Sequence, residues 1–282
     1  MGGVESMGSP LLRSWRLTVY LLWTLPLMPV QALGLVLRRP WTASFPRFYH
    51  RQCCRILGLR VRQLGRPSGA RPVLFAANHI SYLDVTVFGS LLPASFIAKS
   101  EVARWPLFGW LAQLQRSVFV DRRVRSTVDQ RDSIARRLTV GDALILFPEG
   151  TSGDGNRILP FKSALFSVAA AVQGVHVQPV SIAYTRLDGM PIGRALRPLF
   201  AWYGTMTMAP HLWRVLGLGT VEVVVEFHPP TTLAEQGSRK ALARYCEERV
   251  AAGLAGALSG RRGAPALPPA PKPAAAPAPA LG

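Results

Sequence analysis

Five apolar residues, Val73-Leu74-Phe75-Ala76-Ala77, run straight into Asn78-His79-Ile80-Ser81-Tyr82-Leu83-Asp84. A short apolar run suits a strand buried on both faces, and the polar turn after it leads into a stretch long enough for a helix, expected over Ser81–Leu91. The arrangement recurs. Residues 143–147 (ALILF) run into Pro148-Glu149-Gly150-Thr151, and residues 117–120 (SVFV) into Asp121-Arg122. Further strands are expected at Ser95–Ala98, His176–Tyr184 and Val221–Phe227. Further helices are expected at Ser126–Leu138, Lys162–Gln173 and Ser238–Leu258, with Ser126 and Asp129 resembling a capping box. Strands alternating with helices predict an α/β fold: a mostly parallel central sheet flanked by helices. In such sheets ligands bind beyond the carboxyl ends of the strands, which is where all three polar turns fall.

Each turn offers chemistry. On an ideal helix five residues rotate through about 500°, leaving positions 79 and 84 about 140° apart. His79 can therefore meet Asp84 only from the turn before the helix. There the carboxylate would hold one ring nitrogen as a donor and leave the other as a base; the competing reading is a surface histidine beside a capping acid. Glu149, followed by Gly150 and Thr151, puts a carboxylate and backbone donors into one tight turn, or is an ordinary turn whose glycine supplies positive φ. Arg122 is placed to fork onto an anionic headgroup, or to pair with Asp121 or Asp129.

The composition is basic and apolar at once. Lys and Arg number 33 against 15 Asp and Glu, the formal charge is +18, and 49% of the 282 residues are hydrophobic. That hydrophobic share excludes global disorder, and a mean hydropathy of +0.20 argues against a nucleic-acid binder despite a pI near 11.3. The first 71 residues hold 11 Arg and one acid, Glu5, so +10 of the charge surrounds the most apolar stretch of the chain. Leu17–Leu37 carries no charge over 21 residues, but Pro26 and Pro29 interrupt it. It is expected to be a kinked or re-entrant hairpin entering the membrane rather than one straight rod; a cleaved leader ending near Ala32 is the competing reading. Residues 44–57 read as a basic amphipathic helix, capped by Ser44, with Arg47, Arg51 and Arg55 along one side to meet lipid phosphates. Three cysteines without metal spacing indicate neither a disulfide framework nor a zinc site. The chain is thus divided into a membrane-anchoring segment (1–66), an α/β domain (67–258) and a Pro/Ala-rich tail expected to be disordered (259–282).

The three turns, in this order, resemble the glycerolipid acyltransferase family typified by 1-acyl-sn-glycerol-3-phosphate acyltransferase. Its NHxxxxD motif matches Asn78, His79 and Asp84, and its second motif matches Phe119 to Arg122. Its FPEGT motif matches Phe147 to Thr151, and its fourth, an apolar strand around a proline, matches Val177 to Tyr184 with Pro179. The family commonly continues FPEGT with an Arg associated with the acceptor's phosphate. Here Ser152 stands instead, in a loop resembling the branch that includes lyso-ornithine lipid acyltransferases; Arg157 and Lys162 are candidates to supply the charge.

The resemblance implies an O-acyltransferase moving a fatty acyl group from acyl carrier protein or coenzyme A to a lysolipid hydroxyl. The expected acceptor is 1-acyl-sn-glycerol 3-phosphate, with lyso-ornithine lipid as the alternative. His79 would take the hydroxyl proton, and Arg122, Glu149, Gly150 and Thr151 would bind and position the acceptor. Neither a metal nor a cofactor is implied, and the expected place is the cytoplasmic face of the inner membrane. A non-catalytic membrane-peripheral protein using the same N-terminus as an anchor is the reading from another class.

Overall fold

The structure, a computed structural model, describes residues 8–120 and 127–260. Arg122, Ser126 and nearly all of the Pro/Ala-rich tail lie outside them. In chain order the elements are α1 (Pro10–Val36), α2 (Phe45–Leu57), β1 (Leu59–Leu64), β2 (Val73–Ala77), α3 (Leu83–Leu91), β3 (Ser95–Lys99) and α4 (Phe108–Leu114). Then come β4 (Val118–Val120), α5 (Thr127–Thr139), β5 (Ala143–Leu146), α6 (Ser167–Ala171), β6 (His176–Leu187) and β7 (Met190–Pro191). The chain closes with α7 (Met208–Leu216), β8 (Val221–Phe227), β9 (Thr231–Thr232), α8 (Leu233–Gln236) and α9 (Arg239–Leu258).

The sheet runs β1-β8-β6-β2-β5-β3-β4, with β7 and β9 pairing onto β6. Contacts along this path are parallel except between β6 and β8, so the expected mostly parallel sheet is present. β2 and β5 are adjacent and in register, Ala76 opposite Leu146, which brings the His79 and Glu149 turns to the same edge. Side chains alternate across the sheet, so it has a core on each face. Phe75, Ala77, Ile145 and Val180 face α2, α3 and α7, while Leu74, Ala76, Leu144 and Val177 face α5, α6 and α9.

Several expected elements differ in detail. The Lys162–Gln173 helix is a 3-10 turn at Ser163–Phe166 followed by the five-residue α6. β1 (LRVRQL), absent from the sequence reading, alternates arginines with apolar residues because it is an edge strand. α4 and α7 were also missed; each is short and carries a poor helix former, Gly109 and Pro210. α2 forms where expected, but Ser44 at its start donates its hydroxyl to the Trp41 carbonyl rather than capping the helix. Gly58, at φ 73°, ends α2 in the left-handed conformation that glycine accepts without strain.

The largest departure is α1. It is one continuous 27-residue helix with Pro26 and Pro29 inside it, not a hairpin. Two lost amide donors cost about 3 kcal/mol each, and packing against α2, α4 and α7 opposes that cost. The packing is polar. Arg16 donates to the carbonyls of Leu216, Leu218 and Gly219 at 3.2, 2.5 and 3.1 Å, where the end of α7 presents unpaired, partly negative carbonyls. The Thr24 hydroxyl meets Tyr49 Oη at 2.9 Å, and Gln31 donates to the carbonyls of Thr42 and Leu114. Arg16, Thr24, Gln31 and Gly34 are the buried residues of the helix. Its outward side carries Leu11, Trp15, Leu22, Leu25, Leu33 and Val36, 54–84% exposed. A water-soluble helix has the opposite polarity; the outward side of this one is apolar, and the helix is long enough to cross a membrane.

Candidate active site

His79 lies between the end of β2 and the start of α3 at Leu83, so Asp84 falls in the helix's first turn and reaches back. His79 Nδ1 is 2.9 Å from Asp84 Oδ2. The same oxygen accepts from the backbone N–H of Ile80 at 2.7 Å and of Ser81 at 3.0 Å. Asp84 Oδ1 accepts from the Tyr184 hydroxyl at 2.8 Å. With three other donors fixing it, the fully buried carboxylate is the acceptor toward His79, so Nδ1 carries a proton and donates it, which leaves Nε2 as the nitrogen turned away from Asp84. The ring is stacked on Phe147, with centroids 4.1 Å apart, and its side chain is 21% exposed.

The His79 backbone is clamped as well. Its N–H donates to Glu149 Oε1 at 2.9 Å, and its carbonyl accepts from the Gly153 N–H at 2.9 Å. Glu149 Oε2 accepts from the Leu159 N–H at 3.1 Å. Burial pushes the Glu149 acid up to about 8, against the opposing pull of these two backbone donors. Glu149 thus ties the His79 turn to the loop that follows FPEGT. Gly150, at φ 72°, makes the sharp turn between them. Asn78 bridges β2 to β6, donating to the Ile182 carbonyl at 3.0 Å and accepting from the Ile182 N–H at 2.8 Å.

His79, Gly150 and Thr151 line one cavity of about 540 Å³. Its walls are mostly apolar and come from α1, α2, α3, β3 and α4, including Leu17, Leu21, Phe45, Phe96, Phe108 and Leu111. Ser152, where the family pattern has Arg, donates to the Trp202 carbonyl, and Trp202 N–H donates to the Ile80 carbonyl at 2.9 Å. Arg157 lines a separate polar recess, while the exposed Lys162 lines neither cavity. Arg122 lies outside the described residues. Sequence reasoning put Asn78 and Tyr184 inside the first and fourth motifs but missed their contacts, Asn78 with Ile182 and Tyr184 with Asp84. The available signal was a phenol and an amide inside otherwise apolar strand ends, since buried polar groups need partners.

A histidine held by a buried carboxylate, at the strand ends of an α/β sheet and beside a mostly apolar cavity, is an arrangement suited to general-base chemistry on an apolar substrate. The comparisons agree. An acyltransferase family model matches residues 59–183. The chain is 48% identical over 245 residues to a lyso-ornithine lipid O-acyltransferase of Brucella abortus (strain 2308), covering 84% of this chain and 92% of that one. It is 45% identical to the lyso-ornithine lipid O-acyltransferase of Rhizobium meliloti (strain 1021), covering 90% of each. A 1-acyl-sn-glycerol-3-phosphate acyltransferase of Neisseria gonorrhoeae is 34% identical, over 68% of this chain and 74% of that one. The crystal structure of the 1-acyl-sn-glycerophosphate acyltransferase from Thermotoga maritima shares the fold, with a TM-score of 0.61 at 23% identity over 90% of this chain and 100% of that one. The chain belongs to the glycerolipid acyltransferase family and is a membrane-associated lysolipid O-acyltransferase.

Proposed function

We propose that this enzyme acylates the free hydroxyl of lyso-ornithine lipid, using an acyl thioester carried by acyl carrier protein or coenzyme A. The observation that carries the chemistry is the His79 Nδ1–Asp84 contact in the wall of the apolar cavity. His79 Nε2 takes the hydroxyl proton as the oxygen attacks the thioester carbonyl carbon. The tetrahedral intermediate collapses with cleavage of the C–S bond, and the imidazolium returns its proton to the departing thiolate. A thioester is already activated, so no nucleophilic serine or cysteine is needed. Asp84 holds the imidazole in the productive tautomer and offsets its positive charge, and the cavity holds an acyl chain. The acceptor follows the names of the two relatives that match along nearly their whole length.

α1 would lie in the cytoplasmic leaflet with its Leu and Trp side toward the acyl chains and its polar side on the enzyme. Trp15, Trp41, Phe48 and Trp110, all exposed, suit the headgroup level. This places the cavity beside the layer where both chains reside.

The test is a panel with purified full-length enzyme in mixed micelles: labelled acyl-ACP and acyl-CoA as donors, lyso-ornithine lipid and lysophosphatidic acid as acceptors. Diacylated ornithine lipid is the expected product. Turnover confined to lysophosphatidic acid overturns the assigned acceptor, and none with either acceptor overturns the reading.

A further inference from the structure

Three arginines surround the polar recess beyond the FPEGT loop. Arg157 and Arg194 are exposed and Arg197 is half-buried, and they share the recess with Asp154 and Asn156. Among the described residues no carboxylate forms a salt bridge with any of the three. Arg197 donates to Asn156 Oδ1 at 3.0 Å through Nη1, while its buried Nε has no partner. The three guanidinium groups share the recess with one carboxylate, Asp154, which, against its partial burial, Asn156 and Arg157 hold below the ordinary Asp range, so the recess keeps a net positive charge that suits an anion.

The recess is tied to the catalytic turn from both sides. On one side Gly153 donates to the His79 carbonyl, and Gly155 packs so closely on Ile80 that a Cβ there would sit 3.2 Å from its side chain. On the other, the segment carrying Arg194 and Arg197 continues to Trp202, whose N–H bonds the Ile80 carbonyl. The recess and the catalytic turn thus adjoin, through contacts of the 153–155 loop and Trp202 with His79 and Ile80. Asp154 decides which headgroup. It accepts from Asn156 N at 2.9 Å and Nδ2 at 3.2 Å, and it brings negative charge that opposes a phosphate dianion but suits a cationic amine.

We propose that Arg157, Arg194 and Arg197 bind the α-carboxylate of an amino-acid headgroup on the acceptor lipid, with Asp154 facing its amine. This rests on the acceptor reading above and assigns that acceptor a subsite. It also gives a place for the charge lost when Ser152 replaced the family's Arg, since Ser152 itself is spent on Trp202.

The test measures equilibrium binding and turnover separately, for wild type and for the Arg194→Gln/Arg197→Gln double variant, in micelles. The probes are lyso-ornithine lipid, its α-carboxylate methyl ester and lysophosphatidic acid. Esterification and the double substitution should each weaken binding and raise KM by roughly ten-fold, the effect of losing charge-assisted hydrogen bonds. The two losses should not add, and kcat should hold. Unchanged affinity of the double variant for lyso-ornithine lipid, or equal wild-type affinity for acid and ester, overturns the subsite. Weakened binding of lysophosphatidic acid alone overturns the carboxylate assignment. Binding that depends on the arginines without any turnover would instead fault the acyl-transfer reading, leaving the subsite standing.

Discussion

The His79 turn and the arginine recess share one loop and are built on opposite terms. At the first, the Asp84 carboxylate accepts four hydrogen bonds, and the His79 backbone is held at both its N–H and its carbonyl. At the second, three guanidinium groups share a recess with one carboxylate, Asp154, and the buried Arg197 Nε has no hydrogen-bond partner among the described residues. The difference separates chemistry from recognition. A general base has to be in position before substrate arrives, so the chain itself meets every demand of its neighbours. A binding surface keeps its demands open for another molecule. α1 belongs with the second kind: Arg16, Thr24 and Gln31 Nε2 find partners within the fold, and its apolar side is exposed.

Substitutions that break the satisfied side should cost the most. Asp84→Asn presents an amide where Nδ1–H, two backbone N–H groups and a phenol all donate, so it favours the wrong tautomer. By analogy with triad enzymes kcat should fall by roughly 10³-fold or more, read from initial rates at saturating acceptor. Glu149→Gln keeps one acceptor and turns the other into a donor facing an N–H. A loss of about 10- to 100-fold in kcat is expected as the His79 turn shifts. Glu149 also carries a pH signature. Its carboxyl rises from an ordinary 4.5 to about 8 on folding, because it is buried. Between those values the folded chain keeps a proton that the unfolded chain has lost, so this contribution to stability falls as pH rises through the window. Thermal melts from pH 5 to 9 should show that slope, and Glu149→Gln should flatten it. Tyr184→Phe removes one donor from buried Asp84 Oδ1; about 1–3 kcal/mol of stability and a several-fold drop in kcat should follow.

The open side gives the smallest catalytic effect. Leu22→Asp with Leu25→Asp on the outward face of α1 should shift the protein from the membrane pellet to the supernatant in flotation, while activity in micelles stays within about two-fold. Retention on membranes would show that the apolar side is not the anchor.

What the sequence made legible follows the same division. Period, length and turn chemistry located β2 to β6 and β8, because buried strands are continuous apolar runs and their ends carry the polar turns, whereas the two-residue β7 and β9 are too short to show a pattern. The geometric requirement that His79 precede the helix for Asp84 to reach it is met. Contacts made across the sheet or between distant loops were not legible: Tyr184 meets Asp84, and Asn78 meets Ile182, more than 90 positions away. Nothing in the sequence pattern joins Arg194 and Arg197 to Arg157; the fold brings the three to one recess. α1 misled because prolines predict a break in water, whereas neighbouring helices hold this one together, and because the single arginine just before its uncharged run, Arg16, turns inward to cap α7 rather than outward to lipid.

Acyl transfer turns on His79 Nε2 as the base that frees the acceptor hydroxyl. Single-turnover transfer of labelled acyl groups to lyso-ornithine lipid by wild type and His79→Ala, matched for fold by circular dichroism and for acceptor affinity by binding, tests it most directly. The variant should bind the acceptor as wild type does and transfer at least about 10³-fold more slowly; transfer at the wild-type rate would contradict the mechanism.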